Sequence, residues 1–336
     1  MARLFDIDKP AGRVEFDDPD VTASTDDMTD DQDRGLPPEI SMSIPSERHT
    51  GASDLHGRRG RRLTDADFVD AHVHYWQPSV NDWYEALRSR PIYRDILPGD
   101  FPTCAAHVHV SAVLSPRSVL AEARWLEALR HETGFPSAVI GTTDPALPFT
   151  DIEASLEAQA ESPAFRGLRV FSGLDPAAGT TRRLFRLLAD HDWIFEIITR
   201  PADLPSYLPA IKDSPDATFV LEHAGWPGGA EPEQFHQWRE AIALLATFGN
   251  VDCKISGLGM ALKTTDPARL RPFVETCLDL FGVDRCFFGS NFPVDSIAGT
   301  YTDLMGAYRQ ITGGLSDEDQ HKLFAANARH RYRLPS

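Results

Sequence analysis

Two histidines set two residues apart, His72 and His74, close the apolar run Phe68-Val69-Asp70-Ala71-His72-Val73. Alternate residues of an extended strand share a face, so both imidazoles point the same way. Paired imidazoles suit a divalent metal, or a neutral pair that orients a water molecule. His107 and His109 repeat the spacing, but only the first pair ends its strand and leads into a glycine-free, aromatic loop. A third imidazole, His223, closes the run that continues Ala224-Gly225-Trp226-Pro227. It reads either as a group at a strand mouth or as a satisfied core histidine. Lys254, inside the apolar stretch Val251–Ile255, needs a carboxylate or the solvent at its strand end. Glu196 lies in another such stretch, where a carboxylate is costly unless paired. Trp76, Trp83, Tyr84 and Trp226 flank the histidines and offer either an apolar pocket wall or packing between loops.

These residues sit in a regular alternation of short apolar runs and amphipathic segments. Strands are expected at 68–73, 105–114, 138–141, 167–171, 193–198, 218–222, 251–255 and 285–288. Helical patterns over 116–134, 152–160, 181–190, 204–212, 232–248, 267–281 and 301–311 follow all but the first of them. Strands alternating with helices imply parallel pairing through right-handed crossovers. Eight such units predict an α/β fold, a (β/α)8 TIM barrel, whose active site lies at the C-terminal ends of the strands. No glycine-rich phosphate loop follows the first strand, which counts against the doubly wound alternative.

Composition narrows the class. The chain has 336 residues with 33 basic and 50 acidic side chains, a net charge of −17, which disfavours a nucleic-acid partner. No run approaches the ~20 apolar residues of a membrane span, and no charged start leads into an apolar signal segment. Four unpaired-looking cysteines, Cys104, Cys253, Cys277 and Cys286, fit a reducing, cytoplasmic setting. Residues 1–63 are too polar to offset the entropy of ordering and read as a disordered tail ahead of a folded domain at 64–336.

The segments DAHVHYW at 70–76, RGLRV at 166–170, LEHAGWP at 221–227, CKISGLGM at 253–260 and FFGSNFPVD at 287–295 together resemble the amidohydrolase superfamily. The closing LFAANARHRYRL adds to the likeness, which runs over roughly 67–334. The nearest branch is amidohydrolase-2, metal-dependent barrel hydrolases that include sugar-acid and 2-pyrone-4,6-dicarboxylate lactonases. The resemblance implies metal or substrate binding by His72, His74 and His223, and a proton-accepting aspartate after the eighth strand. At that last position this chain carries Asn291, and an amide cannot accept a proton near pH 7. His223 is then the first substitute base, Glu196 the second and Asp295, expected out in a loop, the third. Alternation anchored on an inward His223 points Glu222 away, toward the helices, unless the strand bulges there.

In the lactonase branch, arginines near position 169 hold a substrate carboxylate, so Arg169 is expected to grip one, or else to pair with a buried acid. Trp76, Trp226 and Lys254 are further candidates to contact substrate. The implied activity is the opening of a small carboxylated lactone by water, with His223 and Asn291 at the reacting centre. One divalent ion, Zn or Mn, would sit on His72, His74 and His223, with metal-free action the alternative that Asn291 raises. The expected partner is a small-molecule substrate, with no nucleic acid, no membrane and a homo-oligomer compatible with the branch. A decarboxylase of the same superfamily and a degenerate barrel that only binds a small acid are the competing readings.

Overall fold

A computed structural model describes residues 64–84, 87–113 and 116–335; the polar tail expected over 1–63 lies outside them. Eight strands pair in sequence order, every pair parallel: β1 Val69–Val73, β2 Ala106–Val110, β3 Ala138–Thr142, β4 Phe165–Arg169, β5 Ile194–Ile197, β6 Thr218–Leu221, β7 Val251–Ile255 and β8 Cys286–Phe288. The ring closes where the chain leaving β8 meets β1. Asn291 N–H donates to the His72 carbonyl at 2.8 Å and His74 N–H to the Phe292 carbonyl at 2.9 Å. This is the (β/α)8 barrel, with the main helices at 116–133, 149–159, 179–190, 232–246, 267–281 and 301–312 wrapped outside.

Alternation along each strand separates two cores. Inward residues Val69, Ala71, Val108, Val110, Ile140, Ile194, Val220 and Phe287 cluster with Ala325, Ala328 and Tyr332 of the closing helical segment, which plugs the barrel. Outward residues such as Phe195, Phe219, Leu221, Ile255 and Phe288 pack on Leu184, Phe185, Trp238, Leu270 and Phe273 of the helices. Trp238 has no exposed surface and its indole N–H donates to the Ala224 carbonyl at 2.7 Å, tying a helix to the turn after β6. Asp266 and Thr300 cap the helices that follow β7 and β8 by accepting backbone N–H groups, as short polar side chains do at helix starts.

The second His-x-His pair belongs to this scaffold. Both rings face outward from β2: His107 Nδ1 meets the Tyr75 hydroxyl, and His109 Nδ1 accepts the Tyr75 N–H at 3.1 Å. His109 Nε2 stands 3.6 Å from Glu122 of the first helix. Cys253, Cys277 and Cys286 are buried free thiols and Cys104 is half-buried.

Candidate active site

β1 brings in the first two imidazoles through an irregularity. Val69 and Ala71 face the interior, yet Val73 packs outward on Leu126 and Leu129, so the inside–outside parity switches between them. The switch coincides with a break in the β1–β2 register between Asp70 and Val73, and it turns His72 and His74 inward. β8 presses on this point: a Cβ on Gly289 would stand 2.8 Å from both Cβ and N of His72, so only glycine fits. Asp70 pins the crossing by accepting from Ser290 N at 2.7 Å and from the Tyr301 hydroxyl at 3.0 Å. Burial pushes its carboxyl up to about 6.

β6 delivers the third. After Leu221 and Glu222 the backbone turns left-handed at His223 (φ 53°), Ala224 (φ 52°), Gly225 (φ 75°) and Trp226 (φ 52°). Consecutive non-glycine residues in this region carry backbone strain. The turn swings His223 over the barrel end, where its ring centroid lies 4.7 Å from that of His72; His72 and His74 are 4.9 Å apart. His223 Nδ1 bonds Ser256 Oγ at 3.0 Å, and the next residue, Gly257, passes so close that a Cβ there would be 2.5 Å from Nδ1. Because the turn carries His223 inward, Glu222 keeps the inward parity of Val220. The expectation that Glu222 faces the helices, which regular alternation would give, is overturned by this break in the strand.

Glu222 is 1% exposed and accepts from Arg169 Nη1 through Oε2 at 2.9 Å. The same Oε2 is 3.7 Å from His223 Nε2. Arg169 spends Nε and Nη2 on the Ser111 carbonyl, at 3.2 and 2.8 Å. Lys254, fully buried, bonds Glu196, whose other oxygen accepts from the Tyr332 hydroxyl at 2.6 Å; its ammonium is 4.0 Å from Glu222 Oε1. Lys254 thus has its carboxylate in Glu196, and Arg169 has a buried acid, the alternative to a substrate carboxylate, in Glu222. Burial works to raise the Glu222 carboxyl, but Arg169 and then Lys254 outweigh it and hold the group well below the usual carboxylate range.

Asn291 is itself left-handed (φ 56°), and its amide Nδ2 donates to Asp295 Oδ1 at 2.7 Å. Asp295 was expected out in a loop; it has no exposed surface, because its Oδ2 also accepts Gly259 N–H at 2.9 Å and draws the segment inward. Trp76 is closed off from solvent, stacked on His74 at 5.9 Å with its N–H on the Ile92 carbonyl at 3.0 Å. Trp226 is half-buried with its ring 5.4 Å from that of His223. A cavity of about 640 Å³ lies between the 91–102 and 292–303 segments, walled by Ile92, Ile96, Phe101, Phe292 and Tyr301.

A family profile described as amidohydrolase matches residues 69–334. The chain belongs to the amidohydrolase family. Among its relatives, an L-fucono-1,5-lactonase of Burkholderia ambifaria is 30% identical over 292 residues, 79% of this chain and 95% of that protein. The protein y4mH of Sinorhizobium fredii is 29% identical over 300 residues, 81% of this chain and all of that one. A crystal structure of an amidohydrolase from Burkholderia multivorans with bound zinc shares the fold at TM-score 0.67 and 24% identity, covering 80% of this chain and 99% of that one. This amidohydrolase is a hydrolase, and no described helix is long and apolar enough to cross a membrane.

The donor chemistry of this family member fits a divalent cation. Ligand-type atoms of His72, Glu222 and His223 all lie within 4.8 Å of one another. Burial holds all three imidazoles well under the ordinary histidine value, His223 at about 3, so they are neutral as ligands must be. Lys254 adds to the effect at His72 and Arg169 at His74, whereas Glu222 opposes it at His223. Sequence reasoning missed Glu222 because a strict period of two fails where β6 turns left-handed. The signal that could have found it was Ala224-Gly225 directly after Glu222-His223, a place where the strand had to end.

Proposed function

We propose that this amidohydrolase opens a small lactone, carboxylated or polyhydroxylated, by attack of water on the ring carbonyl. The observation that carries the reading is the cluster of three buried, neutral imidazoles at the C-terminal ends of β1 and β6. Likeness to the L-fucono-1,5-lactonase supports the substrate class. Neutral imidazole nitrogens orient the water and accept its proton, and the nearby Glu222 carboxylate stabilises the cation that forms. In the alternative, metal-bound form a divalent ion, zinc or manganese, held by His72 and His223 would supply positive charge to polarise the carbonyl, and those two nitrogens would then not take the proton. Arg169, with three of its five N–H groups on Ser111 and Glu222, turns the remainder toward a carboxylate or hydroxyl oxygen of the lactone. Trp226 Nε1–H, buried without a partner among the described residues, donates to a ring hydroxyl.

A pH-indicator assay against γ- and δ-lactones of sugar acids, L-fucono-1,5-lactone included, and against 2-pyrone-4,6-dicarboxylate tests this. Opening faster than in buffer, lost by ~100-fold or more in His223→Ala, is the expected result. If no lactone opens faster than in buffer, the reading fails. Carbon dioxide released from aromatic acids would then mark a decarboxylase, and tight binding of a small acid without turnover a degenerate barrel.

A further inference from the structure

Two successive backbone carbonyls at the end of β2 hold two groups of the site. Val110 accepts from His74 Nδ1 at 2.7 Å, and Ser111 accepts from Arg169 Nε and Nη2 at 3.2 and 2.8 Å. Behind this strand end stands a carboxyl. The Ser111 hydroxyl donates to Glu122 Oε2, and both residues are buried. Oε1 of the same carboxyl accepts from the Tyr84 hydroxyl at 3.2 Å and faces His109 Nε2 at 3.6 Å. His109 Nδ1 accepts the Tyr75 N–H, which belongs to the peptide directly after His74. The ring proton of His109 is therefore on Nε2, turned toward Glu122. Glu122 stands where packing alone would favour a leucine. On the first helix, Pro116–Thr133, it shares a face with Leu126 and Leu129, at i, i+4 and i+7, and those two pack on Val73 of β1. A carboxyl buried on such a face costs free energy that an apolar side chain would not. What it contributes is direction, because each of its oxygens meets a group that holds part of the site.

We infer that Glu122 is a positioning residue for the reaction, acting on Arg169 through Ser111 and on His74 through His109. Oε2 fixes Ser111, whose carbonyl engages two of the five guanidinium N–H groups and so aims the rest of Arg169. Oε1 faces His109, whose ring holds the peptide after His74 while Val110 holds the His74 ring itself. The second His-x-His pair thereby has a part in the site without entering it. The inference rests on the lactone-hydrolase reading, which gives Arg169 to the substrate and His74 to the attacking water. The two arms are separable, because Ser111→Ala cuts only the one that leads to Arg169.

The test is steady-state lactone opening by the full-length wild type, Ser111→Ala and Glu122→Gln, beside urea unfolding of each. Ser111→Ala should raise KM by ~5-fold or more while kcat changes by less than about twofold. Glu122→Gln, whose amide accepts at one oxygen only, disturbs both arms and should also lower kcat by ~10-fold or more. Values of kcat and KM within about twofold of wild type in both variants, with only the urea midpoint lowered, would make Glu122 a packing residue and overturn the inference. A Ser111→Ala loss confined to kcat would overturn it too. Should Glu122→Gln not fold, Ser111→Ala decides alone. If the wild type opens no lactone, the lactone reading fails by itself, and crystal structures of wild type and Ser111→Ala decide this one. Arg169 Nη2 should then lie more than about 3.5 Å from the carbonyl of residue 111 in the variant. A guanidinium still within hydrogen-bond distance there would refute the inference.

Discussion

Replacing Asp295 by asparagine should change how stability depends on pH, in a direction and size the site dictates. Burial drives the Asp295 carboxyl from an ordinary 3.8 up to about 7, against hydrogen bonds from Asn291 and from the Gly259 backbone. In the unfolded chain the group loses its proton near its ordinary value; in the folded protein it keeps the proton up to about 7. The folded state therefore binds the extra proton between these limits, and the Asp295 contribution to stability falls as pH rises through that window. Each pKa unit corresponds to about 1.4 kcal/mol, so the full window is worth roughly 4 kcal/mol.

The wild-type curve alone cannot isolate this, because other buried groups titrate too. Asp70, raised to about 6, acts in the same direction. The buried imidazoles of His72, His74 and His223 act oppositely: they refuse protons when folded, so their contribution is lost as pH falls below the ordinary histidine value. The difference between Asp295→Asn and wild type removes these shared terms. Asparagine is neutral like the protonated acid but can accept at one oxygen only, so it loses either the Asn291 or the Gly259 bond and the variant should be the less stable by ~1–3 kcal/mol at about pH 4. Between about pH 4 and about pH 8 the difference should move in the variant's favour by roughly 4 kcal/mol, read from urea midpoints at several pH values. A difference that stays constant within ~0.5 kcal/mol from about pH 5 to about pH 7.5 would refute the reasoning.

Two further substitutions probe the supports of the site. Lys254→Met leaves Glu196 and Glu222 buried without their ammonium partner and should cost about 3–5 kcal/mol in urea unfolding, with part regained in the double variant with Glu196→Gln. Gly257→Ala forces a side chain into a left-handed position (φ 64°) and against His223 Nδ1. It should destabilise by at least ~1 kcal/mol and lower lactone opening by ~10-fold or more, measured in the same indicator assay.

The local pattern carried much of this protein. Period-two apolar runs alternating with helical segments sufficed for eight parallel strands in sequence order, because which way a side chain points along a strand is decided within a few residues. The same locality put His72, His74 and His223 at strand ends, and the structure gathers their rings within 5 Å of a neighbour. Only the folded chain decided the partners. Arg169 meets Glu222 across 53 residues, Lys254 meets Glu196 across 58, and Tyr332 reaches Glu196 across 136. Ring closure sets such pairings, and no nearest-neighbour pattern encodes them. Glu222 failed sequence reasoning for a related reason: its direction follows from left-handed residues after β6, held by Trp238 of a helix and by close packing on Gly257. Strain at that turn is tolerated because tertiary contacts over-determine it, and contacts of that kind exist only once the barrel has formed.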